Sequence, residues 1–248
     1  VFCFRSLLGA LCLLLLGGCV SRSSYRYLIM DDVEVAVPEQ EVADRYGFRL
    51  QGPCGDPANY IPQPAHLEHT PVRYVRINFH FIDTKDKLYN YPEEETWRFI
   101  EGLLVSANKD LAENNRLWLP YGNDLPVIPV RYQMMLAPAT REPSDRGIYH
   151  HYVEDELAFY VHRGADRNLS DRRLIERFGV AKDSILNIFI MPHHPDSVVS
   201  STYNAGAVGV MVGNAIKLAG FYEGGQPAWA YRGVLNHEVG HIFGLAHA

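Results

Sequence analysis

The run HEVGHIFGLAH, His237 to His247, constrains this chain more than any other segment. Histidines four residues apart project from one face of a helix, so His237 and His241 can reach a single metal ion while Glu238 lies beside it. A third histidine six residues after the second points elsewhere if the helix continues. Gly244 resolves this, because glycine accepts the left-handed conformation that ends helices and lets the chain turn His247 back toward the same ion. The run therefore predicts a helix of defined phase, a glycine break at Gly244, and three imidazoles around one cation. Three neutral histidines with a fourth position left open are the ligand set of a catalytic Zn²⁺, and Glu238 is placed to act as general base on a metal-activated water.

The remaining composition narrows what such a site can serve. The chain has 248 residues and a formal net charge of -6, with no cluster of lysine or arginine, so a nucleic-acid partner is not expected. Its length suits one sizeable domain, and neither repeats nor low-complexity tracts are visible. The expected partner is a protein or peptide substrate. The oligomeric state is not legible.

The first twenty residues differ from the rest. Arg5 precedes an apolar run from Leu7 to Leu16, followed by Gly17, Gly18 and Cys19, the pattern of an export signal too short to span a bilayer comfortably. Leu16-Gly17-Gly18-Cys19 also resembles the lipobox of bacterial lipoproteins. That resemblance implies lipidation at Cys19, residues 1–19 as signal peptide, and a mature chain lipid-anchored to the cell envelope, with Val20 resembling lipoproteins sent to the outer membrane. Of the four cysteines, Cys3 and Cys12 then leave with the signal and Cys19 carries lipid, so Cys54 is the remaining thiol and a disulfide framework is excluded. Residues 20–70, with acidic patches and prolines at 38, 53, 57, 62 and 64, suggest a tether and possible pro-segment.

From residue 71 onward the pattern is that of a catalytic domain. Val75, Ile77, Phe79 and Phe81 alternate with Arg76, Asn78 and His80, which predicts a strand with one buried face. Pro92 and Glu93 to Glu95 open a helix with its stripe at Trp97, Ile100, Leu104, Ala107 and Leu111. Further strands are expected at 130–136, 157–162, 185–191 and 208–212, the last short or at an edge. Ser170 and Asp171 are expected to cap a short helix stopped by Gly179. Trp229 to Leu245 is the ligand-bearing helix. The sum is an α/β (α+β) fold with a twisted, mixed, five-stranded sheet, one backing helix and one active-site helix.

HExxHxxGxxH is the signature of the metzincin zinc endopeptidases, and the chain resembles that clan. Within it the segments VRINFHFI, VRYQMMLAPATREPSDRGIYHH and SILNIFIM are most similar to the pappalysin family. The resemblance implies a metzincin-like N-terminal subdomain, one catalytic zinc on His237, His241 and His247, Glu238 as base, and hydrolysis of extracellular or surface proteins. It also implies a methionine turn downstream of His247, expected past Ala248, so residues 71–248 are expected to be the first part of the catalytic domain. Several metzincins hold themselves inactive through a Cys-Gly pair, and Cys54-Gly55 is similar, which makes Cys54 a possible zymogen zinc ligand. The alternative for Cys54 is an unpaired thiol in a turn. His150-His151 and His193-His194 are read as surface or loop pairs, and Asp166, Asn168 and Asp171 as turn and cap residues more than a calcium site. An alternative for the whole chain is a non-catalytic binding lipoprotein on a peptidase scaffold.

Overall fold

The computed structural model describes residues 25–30, 33–38, 65–114, 129–245 and 247. Cys19 and Cys54 lie outside the described residues. The chain divides into two compact units, Val1–Asn59 and Tyr60–Ala248. In the first, strands β1 (Tyr25–Met30) and β2 (Val33–Pro38) pair antiparallel within the segment expected to be a tether.

The second unit is a mixed α/β body built on a six-stranded sheet. Its axis is β3 (Arg73–Thr84), with β6 (Leu186–Met191) parallel to it on one side. On the other side two short strands follow one another along the same edge. They are β4 (Tyr132–Leu136), beside Arg73 to Ile77, and β5 (Ile148–Val153), beside Phe79 to Thr84. The chain leaves the sheet between them at Ala137 and returns at Gly147, whose φ of 73° and position 2.6 Å (as a would-be Cβ) from the Ala137 carbonyl oxygen admit only glycine. Asp145 ties this excursion, accepting from the Gly147 N–H at 2.9 Å and the Tyr149 hydroxyl at 2.8 Å. Beyond β6 lie β8 (Ala215–Ala219), parallel, and then β7 (Val208–Val212), antiparallel at the rim. Val212 pairs with Ala215, so Gly213 and Asn214 form a two-residue hairpin turn with Gly213 at positive φ.

Two layers cover the sheet. Helix α1 (Glu93–Glu113) starts with three glutamates at its positive dipole end and stops at Asn114 in the left-handed conformation. It lays Phe99, Ile100, Leu103, Leu104, Ala107 and Leu111 against Ile77, Phe79, Phe81, Ile188 and Leu218. Leu103 is fully buried, and its truncation to alanine would cost about 2–5 kcal/mol. Trp97, expected in this stripe, is 42% exposed and lies under the Arg146 guanidinium; Phe99 and Leu103 take the inward positions instead. The opposite face packs Ile82, Phe189, Met191 and Ala219 against Phe159, Tyr160, Leu174 and Ile175. Phe159 and Tyr160 follow the short helix α2 (Asp155–Ala158), and Leu174 and Ile175 lie on α3 (Arg173–Phe178).

Several expectations change here. Residues 157–162 are not a sheet strand: the Glu154 carbonyl accepts from both Leu157 and Ala158, closing a helical turn, and only Tyr160 bridges to His193. The sheet has six strands because β5 and β8 join it and the 157–162 segment does not. β3 is buried on both faces from Ile77 onward, since α1 covers one side and the α2–α3 layer the other. Among its inward polar groups, His80 bonds Asn187 and His151, while Asn78 Nδ2 is buried without a partner. Asn90, itself buried, donates to the Ile82 carbonyl at 2.8 Å and the Ile190 carbonyl at 2.9 Å, stapling the ends of β3 and β6. At α3 the N-cap position falls on Arg172, which makes no side-chain cap bond, while Asp171 before it accepts from the Arg173 N–H at 2.8 Å; Gly179 follows the last turn with a negative φ of -62°.

The histidine pairs are structural. His150 and His151 lie half-buried on β5; His150 stacks on Phe81 and bonds the Thr96 hydroxyl, while His151 stacks on Phe178. His193 is buried and bonds the Gly206 carbonyl at 3.0 Å, and His194 caps the short helix α4 (Pro195–Val198) by accepting from the Asp196 N–H.

Candidate metal centre

Helix α5 (Arg232–Ile242) follows a 3-10 turn, Ala228–Tyr231, and enters the core through Leu235 and Val239. Two polar contacts fix it along α1: Arg232 Nε reaches Asp110 Oδ2 at 2.6 Å, and Asn236 Nδ2 donates to the Ala107 carbonyl at 3.2 Å. With Leu235 and Val239 turned inward, the helical period places His237 and His241 on the outer side, one turn apart.

The helix ends as the glycine predicts. Gly244 has φ 87°, its N–H donates to the His241 carbonyl at 2.9 Å, and the Leu245 N–H donates to the Gly240 carbonyl at 3.1 Å. This pair of bonds satisfies two of the carbonyls that a helix end leaves open and reverses the chain within three residues. His247 is thereby returned to α5. Nε2 of His237, His241 and His247 lie 3.0 Å from one another in all three pairs. Among the described residues they are the one group of three His, Cys, Asp or Glu side chains close enough to share a metal ion.

The donor chemistry fits a cation. His241 Nδ1 lies 2.6 Å from the Leu245 carbonyl oxygen, so its proton belongs on Nδ1 and its Nε2 presents a bare lone pair toward the other two rings. A carbonyl that fixes the tautomer of a histidine is the usual outer support of a metal ligand. Zinc–nitrogen bonds of about 2.0–2.1 Å in a tetrahedron set their nitrogens about 3.3 Å apart, close to the observed spacing.

Glu238 is 5% exposed and turned toward β7. The Met211 N–H faces its carboxylate, and its Oε2 has no hydrogen-bond partner. Burial pushes its pKa above the usual glutamate range, against the opposing pull of the three histidines. The structure thus brings together His237, His241, His247, Gly244 and Glu238 as the sequence predicts. It adds two contacts that no motif in the sequence marked: the Leu245 carbonyl on His241 and the Met211 N–H beside Glu238. Asp166, Asn168 and Asp171 serve as turn residues, with Asn168 bonding Val161 and Phe159. No family model, curated protein or solved structure matches this chain.

Proposed function

We propose that this chain is a zinc-dependent endopeptidase of metzincin type, exported and lipid-anchored through Cys19, acting on extracellular or surface proteins. The observation that carries the reading is the triangle of Nε2 atoms at 3.0 Å on either side of a glycine-broken helix, with the carboxylate of Glu238 beside it. A mixed sheet backed by one long helix and followed by the ligand-bearing helix supports it further.

His237, His241 and His247 would hold the ion through Nε2, with the Leu245 carbonyl orienting His241. When bound, zinc supplies a Lewis acid that acidifies water and polarises a peptide carbonyl. Glu238 takes the proton of the attacking water at its carboxylate and returns it to the departing amine. Its Oε2, buried without a hydrogen-bond partner, is the atom suited to that exchange, and the Met211 N–H faces the same carboxylate. The substrate main chain can pair with β7, which among the described residues pairs with β8 alone.

The test is Glu238→Ala in the zinc-loaded chain. Metal content by mass spectrometry should stay at one zinc per chain, while cleavage of an unfolded protein substrate falls by about 10²-fold or more. Cleavage at the parent rate would show that Glu238 is not the base. A parent chain that binds zinc and cleaves nothing would leave the binding-scaffold reading in its place.

A further inference from the structure

Gly209 stands on β7 directly opposite the side chain of Glu238. A Cβ built on it would lie 2.4 Å from Glu238 Cγ, 2.7 Å from Cδ and 2.7 Å from Oε1. The three contacts run along the side chain, so rotating only the carboxylate would not relieve them. Backbone conformation does not account for the glycine, because Gly209 is absent from the positive-φ positions and lies within the regular register of β7, opposite Leu218. Intrinsic preference opposes it too, since glycine weakens a strand interior. What remains is the space: the missing side chain is the volume that Glu238 occupies. Two residues on, the Met211 N–H faces the same carboxylate.

The geometry points to Gly209 as the positioning residue for Glu238: β7 is notched at this point so that the carboxylate can stand between strand and metal ligands with Oε2 free. This rests on the peptidase reading for its catalytic consequence, but the notch is a property of the fold. Any side chain at 209 rotates Glu238 away from the Met211 N–H without touching His237, His241 or His247.

Gly209→Ala should therefore retain one zinc per chain and lower kcat by about 10²-fold with KM changed less than about threefold, since transition-state chemistry is lost and substrate binding is kept. A second readout is independent of activity. In a thermal-unfolding cycle, Gly209→Ala should lower the midpoint by several degrees when Glu238 is present. In the Glu238→Ala background the same substitution should be neutral or stabilising, because the colliding atoms are gone. Equal midpoint changes in both backgrounds, or a Gly209→Ala enzyme with parental kcat, would overturn the proposal. A parent without hydrolysis would remove the peptidase reading, and the unfolding cycle would still report on the notch.

Discussion

Lowering the pH from 7 to 5 with a chelator present should destabilise the sheet through two histidines remote from the metal centre. His80 is fully buried on β3, and Nε2 of its ring lies 2.9 Å from Asn187 Oδ1 and 3.1 Å from Asn78 Oδ1. The Asn187 amide is oriented by donating to the Val180 and Ile185 carbonyls, so its oxygen must accept and His80 must carry its proton on Nε2. His80 Nδ1 is then the acceptor for the His151 Nε2–H at 2.9 Å. A second proton on His80 would have to enter Nδ1, against that N–H. Burial first, then His151, hold the His80 pKa down at about 3; burial, then His150 and Arg177, hold His151 at about 4. Both folded values lie below the unfolded value of 6.5, so between them the unfolded chain binds more protons and stability is lost as pH falls. It is fully present above about 6.5 and declines toward the folded values. For His80 the loss between pH 7 and 5 is about 2 kcal/mol, and half-buried His151 adds roughly 1 after allowance for solvent screening. About 3 kcal/mol is a large share of the ~5–15 kcal/mol that holds a domain folded. His150 and His193, also held low by burial, act in the same direction. Urea unfolding followed by circular dichroism at pH 7, 6 and 5 measures the slope. His151→Gln, which keeps an N–H donor toward His80 and does not titrate, should reduce it by about a third. A parent whose unfolding free energy is the same at pH 7 and 5 would refute the argument, and so would a His151→Gln chain with the parental slope.

Asn90→Ala removes both donors that join the ends of β3 and β6 and leaves the Ile82 and Ile190 carbonyls buried without them. It should cost about 2–3 kcal/mol in urea unfolding, and a cost below ~0.5 kcal/mol would contradict the staple. Gly244→Val places a β-branched residue at φ 87° and opens the reversal that returns His247. Zinc affinity in a competition titration should fall at least about tenfold while the circular dichroism spectrum is retained; unchanged affinity would show that His247 does not depend on this turn.

The parts of this molecule legible in its sequence are those whose physics is local. Helix α5, its glycine stop and the return of His247 follow from residue spacing and from the one residue type that tolerates the required φ, and they appear as expected. The errors lie where a residue's meaning depends on a neighbour far along the chain. Asn78 and His80 look like the wet face of a strand, yet each is fully buried, and β5 and β6 bring His151 and Asn187 to the His80 ring. β8 was hidden by Lys217, whose charge breaks an apolar run of five residues. It is buried all the same, with Nζ donating to the Asn168 carbonyl at 3.0 Å. β5 was hidden by two histidines that the aromatic rings of Phe81 and Phe178 accommodate. The same division runs through the site. The metal donors are set by a helical period, whereas the volume and hydrogen bond that place the base come from β7, a strand about thirty residues earlier. A glycine in a strand reads as a weakness until the helix carrying Glu238 is packed against it, and only then does its missing side chain acquire a function.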